Sequence, residues 1–330
     1  MRFVVIGFGS IGKRHTNNLL AVGSQVVLLR HGASPEKNEM GLPEYYSFDE
    51  LFTNEKTIDG AIICSPTAFH QHDVAELIER SIPFLLEKPP TQDLPATQQL
   101  MCLLDKNQFT KYDIAFNMRY FPVLRFIKDF LPQLGKMYSA KIWAAHYLPY
   151  WRKNVDYRQS SSANKELGGG VHLEMIHEID YLIWFFGLPI KVFGYVNRIS
   201  DLEISTNDIC SAILEYESGA VVELHLDYLS QKRLRGCQII AENGTLEWSI
   251  EDNQVNLFGK TDGLTKIVFS LPVNYDFNNT YQLELKNFME IIEGKSNSRV
   301  DIKTALNSMR VVEAIKQSSR TGRLIKLDAI

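Results

Sequence analysis

Cysteine is scarce in this chain and widely scattered. Cys64, Cys102, Cys210 and Cys237 are the only four in 330 residues, and no two form a CxxC. That spacing argues against a disulfide framework and against a zinc ribbon. Cys64 and Cys102 lie in apolar contexts and are expected to be buried. There is no excess of either charge sign: 35 Lys and Arg against 39 Asp and Glu leave a net charge of −4. Nucleic acid and anionic membrane surfaces are therefore not expected partners. Long apolar runs are missing too. The stretch 181–190 is broken by Gly187 and Pro189, far short of the ~20 residues that cross a bilayer. Met1-Arg2 and then Phe3-Val4-Val5-Ile6 read as a strand, not as a signal-peptide core of ~7–15 apolar residues. A cytoplasmic protein with reduced thiols is expected.

The composition is otherwise globular, 45% hydrophobic and 22% charged. The length suggests about two domains. Short apolar runs at 3–6, 26–29, 58–64, 82–86 and 113–116 alternate with helical patterns at 11–22, 67–80 and 93–106. This predicts a parallel sheet covered on both faces, a doubly wound α/β domain over 1–120. Beyond it the pattern changes. A helix over 123–131 and a strand over 139–147 precede a polar, aromatic loop over 150–165. A glycine triplet then opens a single helix over 171–186. Strands over 209–216, 220–228, 237–241, 245–248 and 254–258 follow, and helices over 281–292 and 302–318 close the chain. Val222, Leu224, Leu226 and Tyr228 alternate with Val221, Glu223, His225 and Asp227, one face buried and one polar. The second domain, 121–330, is expected to be α+β with an open, mostly antiparallel sheet. Its last helix, 302–318, is a candidate to pack on the first domain. A sheet face left uncovered by helices would serve a homo-oligomer, a dimer or tetramer.

Gly7-Phe8-Gly9-Ser10-Ile11-Gly12 follows the first strand and opens the first helix, as a dinucleotide fingerprint requires. These six residues are the candidate pyrophosphate cradle. An acid that would bind the ribose 2′-OH is missing where the second strand ends. Arg30, His31, Gly32, Ala33 and Ser34 stand there, and the first acid is Glu36. Arginine pairs with a 2′-phosphate, so NADP is favoured, with NAD as the alternative and Arg30 and His31 as contacts. Glu87-Lys88-Pro89 ends a strand where the ligand crevice of such a sheet lies. A lysine there can orient a substrate hydroxyl. On the second-domain helix, Glu174 and His177 are three apart and lie on one face. No HExxH occurs, and no metal is expected.

Taken together, the glycine turn, Ser65-Pro66-Thr67 with His70, Glu87-Lys88-Pro89, and the segment from Gly168 to Asp180 resemble the Gfo/Idh/MocA oxidoreductase family over essentially the whole chain. The resemblance implies NAD(P)-dependent oxidation or reduction of sugars and related polyols. It makes Lys88 and His177 the catalytic pair. It adds Ser65, Pro66, Thr67, His70, Glu87 and Lys88 to the cofactor contacts and makes the Lys88–Pro89 bond a candidate cis peptide. One departure stands out. Many members carry an aspartate four residues before the histidine, where this chain has Leu173; its nearest acid is Glu174. The segments Tyr147-Leu148-Pro149-Tyr150-Trp151-Arg152, Asp156-Tyr157-Arg158 and Ser160-Ser161-Ser162-Ala163 are similar to a branch that modifies bacterial surface polysaccharides, in which the acid also sits three before. Asn117, Arg119, Trp151, Arg152, Arg158, Glu174 and His177 are the candidate substrate contacts. The substrate is expected to be a sugar, a sugar derivative or a nucleotide sugar. A non-catalytic dinucleotide-binding regulator, a redox-recycling lyase or hydrolase, and a reductase of a non-sugar carbonyl or imine are the alternatives.

Overall fold

The computed structural model describes residues 1–32, 38–153, 155–261 and 263–330. It forms two compact units: Met1–Asn117 with Asn278–Leu306, and Met118–Phe277 with Asn307–Ile330. Residues 278–306, expected in the second domain, therefore fall within the first unit. The local hydrophobic pattern marks them as helical but carries no sign of which sheet they cover.

The first unit is built on six parallel strands: β1 (Arg2–Ile6), β2 (Gln25–Leu29), β3 (Glu44–Tyr45), β4 (Gly60–Ile63), β5 (Phe84–Glu87) and β6 (Tyr112–Ala115). Their spatial order is β3-β2-β1-β4-β5-β6. Phe3–Ile6, Ala61–Ile63 and Phe84–Leu86 in the central strands are apolar and buried because both faces are covered. Helices α1 (Ser10–Ala21), α2 (Phe48–Asn54), α3 (His70–Glu79) and α4 (Leu94–Lys106) connect them. Helix α2, capped by the Ser47 side chain on Glu50 N–H, and the two-residue β3 lay beneath the resolution of the sequence pattern. The expected helix over 67–80 is a 3₁₀ turn at Thr67–Phe69 followed by α3. Cys102, expected to be buried, is exposed, whereas Cys64 is buried. Helix α4 turns Leu94, Thr97, Leu100 and Leu104 inward, and Cys102 is off that stripe.

The second unit holds a nine-stranded sheet. In chain order the strands are β7 (Met137–Ala145), β8 (Lys191–Asn197), β9 (Ile209–Glu215), β10 (Val221–Asp227), β11 (Leu234–Ala241), β12 (Gly244–Ser249), β13 (Gln254–Gly259), β14 (Thr265–Ser270) and β15 (Ile325–Lys326). In space they run β14-β13-β12-β11-β7-β10-β9-β8-β15, antiparallel except for β7 with β10. Helix α5 (Pro122–Leu134) precedes β7. Helices α6 (Val171–Glu174) and α7 (Ile176–Phe186) also belong to this unit; α8 (Asn278–Ile292) belongs to the first, and α9 (Ile302–Thr321) begins in the first and runs on in the second. One helix was expected over 171–186, but Met175 (φ −99°, ψ 30°) leaves helical geometry and separates α6 from α7. Side-chain periodicity cannot register a one-residue backbone departure in a run without Gly or Pro.

One face of this sheet is covered. At Gly194, for example, an added Cβ would sit 2.7 Å from Ile315 of α9. The other face exposes Phe193, Tyr195, Ile213 and Ile240. The alternation along β10 fails at Asp227, expected on the polar face. Its carboxylate is buried, accepting from the N–H groups of Leu229 and Ser230 at 2.7 and 2.8 Å.

Candidate active site

At the carboxyl end of β1 the chain makes its tightest turn. Gly7 adopts φ +91° and donates its N–H to Leu29 O at 2.8 Å. A Cβ there would lie 2.6 Å from Ser65 N and 2.7 Å from the Cys64 carbonyl. A Cβ on Gly12 would run into the Gly7 carbonyl oxygen. Gly9 differs: nothing lies within 4 Å of its Cβ position, and no side chain caps the start of α1 behind it. Two glycines thus bring chain against chain, and the third leaves open space before a helix N-terminus. That space suits a pyrophosphate, whose oxygens the first free N–H groups would hold. Ser10 is exposed beside it, while Phe8 and Ile11 pack on the core cluster of Phe3, Val5 and Cys64.

The end of β2 holds two ion pairs. Arg30 Nη1 donates to Glu44 Oε1 at 2.7 Å, and Asn38 also binds Glu44. Burial pushes the Glu44 carboxyl up, but the bonds from Asn38 and Arg30 prevail and hold it below its usual range. The sequence reading missed this acid because β3 brings it back to β2 from fourteen residues away. His31 lies 2.9 Å from Asp73, stacks on Phe69 at 4.8 Å and has a raised pKa, chiefly through its bond to Asp73 against the opposing effect of burial. The Ser65 hydroxyl donates to the same carboxylate at 2.6 Å. Ala33, Ser34 and Glu36 lie outside the described residues.

The ends of β4 and β5 are tied to each other. His70 is buried, with Nε2 3.0 Å from Ser65 O and Nδ1 3.0 Å from Pro89 O. Its ring spans the segment Ser65-Pro66-Thr67 and the turn after β5; burial lowers its pKa against the opposing pull of Asp73 and the two carbonyls. The Lys88–Pro89 bond is cis, and Lys88 is half-buried. Glu87 is buried and accepts from His15 Nε2 at 2.9 Å. Sequence reasoning passed over His15. Its signal was its place three residues after Gly12, which sets it on the same face of α1. Asn117 Nδ2 donates to Thr280 Oγ1 at 2.8 Å, both residues buried.

In the second unit, Gly169 is where the loop and the histidine segment meet. Its Cβ would fall at 2.8 Å or less from the carbonyl oxygens of Ser161, Ser162 and Asn164. That contact places Ser162, whose hydroxyl donates to Glu174 at 2.8 Å. His177 is buried at the start of α7, and Glu174 belongs to α6, so the two do not share one helical face as the uninterrupted reading required. Three further candidate substrate contacts also have protein partners. Arg119 donates through Nε and Nη2 to Asp180, both bonds 2.8 Å. Arg158 is exposed and grips Asp156 and Glu203. Trp151 donates Nε1 to His146 O at 2.9 Å. Arg152 is half-buried beside it.

Two family models match the chain: "Oxidoreductase family, NAD-binding Rossmann fold" over residues 1–112, and "Oxidoreductase family, C-terminal alpha/beta domain" over residues 134–327. The chain belongs to the Gfo/Idh/MocA oxidoreductase family. Among curated Gfo/Idh/MocA-like relatives, the D-xylose 1-dehydrogenase (NADP(+)) 2 of Haloferax volcanii is 24% identical, with 90% of this chain and 89% of that protein covered. The scyllo-inositol 2-dehydrogenase (NAD(+)) of Bacillus subtilis is 22% identical, with 99% and 96% covered. Among solved structures, the WlbA dehydrogenase of Bordetella pertussis, in complex with NADH and UDP-GlcNAcA, superposes with a TM-score of 0.82 at 19% identity, covering 99% of this chain and 98% of that one. This likeness shows the fold.

Two predictions come from the geometry of the Rossmann unit. Gly9→Ala should keep near-native thermal stability while weakening NAD(P)H binding about tenfold or more. Gly12→Ala should lower the melting temperature, because its methyl meets backbone. Fluorescence titration and thermal melts of both variants check the pair, and tight cofactor binding by Gly9→Ala would refute the cradle. The second concerns His31. Its raised pKa adds stability that is full below about 6.5 and is lost as pH rises through the higher folded value. In an NMR titration, Asp73→Asn should bring the His31 midpoint to 6.5 or below, since burial then acts without its opponent. An unmoved midpoint would contradict this.

Proposed function

We propose that the protein is an NAD(P)-dependent dehydrogenase or reductase acting on a CH–OH group, or its carbonyl, of a sugar, sugar derivative or nucleotide sugar. The observation that carries this reading is the glycine turn, open at Gly9 and closed at Gly7 and Gly12, in a chain that carries both domains of a sugar- and polyol-oxidising family. The nicotinamide supplies the hydride chemistry when bound. Lys88 bonds the reacting oxygen, and His177 takes or returns its proton, since a histidine titrates near neutral pH. Glu174, set by Ser162, orients His177 or holds a neighbouring hydroxyl. Ser65, Thr67 and Glu87 shape the cofactor side of the site, and His70 positions them by spanning two carbonyls. Asn117, Arg119, Trp151, Arg152 and Arg158 shape the substrate side.

The preferred cofactor in this reading is NADP(H), with Arg30 turning from Glu44 to the 2′-phosphate. The Arg30–Glu44 bond favours NAD(H) as the second reading, because it already neutralises the guanidinium. One experiment addresses enzyme and cofactor together: turnover of a panel of sugars and nucleotide sugars with both cofactors. Lys88→Ala and His177→Ala should retain cofactor binding and lose at least ~10²-fold in kcat. Arg30→Ala should weaken NADPH at least about tenfold more than NADH. Undiminished turnover in Lys88→Ala or His177→Ala would overturn their roles, and equal losses for the two cofactors would favour NAD(H).

We also propose a homo-oligomer formed through the sheet face that exposes Phe193, Tyr195, Ile213 and Ile240, and a cytoplasmic location. Ile213→Asp should shift the species seen in sedimentation velocity toward the monomer. A wild type already monomeric at micromolar concentration would refute the interface.

A further inference from the structure

We infer that the substrate carries an anionic group, a carboxylate or a phosphate, and that Arg152 is the residue that receives it. This rests on the dehydrogenase reading above and narrows its substrate class.

The inference starts from the state of the arginines. Those at least half-buried in this protein are almost all engaged. Arg119 is held by Asp180 and Arg235 by Glu178, and Arg310 donates to a backbone carbonyl. In the first unit Arg2, Arg30 and Arg80 each meet a glutamate. Arg152 alone among them has neither a carboxylate nor a carbonyl partner among the described residues. Taking a guanidinium partly out of water without a counter-ion is unfavourable. A site that needs the cation for a ligand explains why it stands there.

The surroundings fix the residue that precedes Arg152. The preceding residue, Trp151, is fixed three ways: its Nε1–H on His146 O, its ring stacked on the His146 ring at 6.1 Å, and its edge against Tyr228 at 5.1 Å. Tyr228 is fully buried, which pushes its phenol up; the charge of Glu174 pushes the same way and that of Arg152 opposes it. The Ser162 hydroxyl donates to the Glu174 carboxylate at 2.8 Å. His146 does not add a competing cation, because burial and Arg233 lower its pKa. Arg158, the other arginine of this loop, is taken by Asp156 and Glu203 and is exposed. Among the described residues the loop thus offers one half-buried cation, since Lys153, Arg158 and Lys165 are exposed, and it stands beside an aromatic wall suited to a sugar ring. A guanidinium fork matches carboxylate and phosphate oxygens two at a time.

The test measures binding and turnover separately. The probes are glucose, glucose 6-phosphate and glucuronate, free and, for glucose and glucuronate, as their UDP-linked forms. Binding to the cofactor-loaded protein is followed by calorimetry, and turnover by cofactor absorbance. At least one compound with an anion on the sugar is expected to bind at least ~10-fold tighter than its neutral counterpart. Arg152→Gln should erase that difference, whereas Arg152→Lys should keep part of it. A preference for glucuronate over the 6-phosphate, or the reverse, identifies the group. Equal binding of anionic and neutral members, or a preference that survives in Arg152→Gln, overturns the inference. Anion binding that depends on Arg152 without turnover of any member would count against the dehydrogenase reading and leave this one standing.

Discussion

The close approach of α1 to the carboxyl ends of β1 and β4 is the constraint on which the first unit depends. Gly7 is pressed against the Cys64–Ser65 backbone, and Gly12 sits against the Gly7 carbonyl. No side chain fits between them. Once α1 is seated so deeply, its next turn carries His15 to Glu87, at the end of a strand two places away. The glycines therefore do more than admit a phosphate. They fix the distance over which a helix side chain can hold the acid adjoining Lys88.

Buried polar links continue that function around the strand ends. His70 bridges Ser65 and Pro89, and Asp73 gathers Ser65 and His31. An unpartnered polar group in such a position would be costly, so each link restricts the loops it joins to few arrangements. The same device recurs in the second unit, where Asp180 takes Arg119 and Glu178 takes Arg235. Asp180 is pushed up by burial and drawn down by Arg119. The pair is thus a fixed feature of α7, three residues from His177, and sets the frame in which that histidine sits.

The order of strands and helices in the first unit was legible because β1, β2, β4, β5 and β6 are continuous apolar runs separated by helical ones. The glycine turn was legible because its chemistry is local. What escaped was of two kinds. Short elements such as β3 and α2 carry too few residues to show a period. Partners brought together by the fold, such as Arg30 with Glu44 or His15 with Glu87, have no local signature. The membership of α8 in the first unit was hidden for the same reason: its apolar stripe, with Leu285 and Phe288, fits one core as well as another until the tertiary structure chooses.

The acid before the histidine shows how such an omission alters a mechanistic argument. In a continuous helix, an acid three residues before His177 and one four before share its face, and moving between them is a small rotation. The break at Met175 removes that equivalence. Glu174 and His177 belong to separate helices, so the offset in sequence no longer determines an angle. What sets Glu174 is Ser162, and what sets Ser162 is the packing of its loop on Gly169. The acid is thereby coupled to the loop that carries Ser162. A change in that loop would reach Glu174 through Ser162 without passing through α7. The position of the acid along the chain is on this view a property of the Ser162 loop, and its shift from the common family pattern belongs with the loop's own composition.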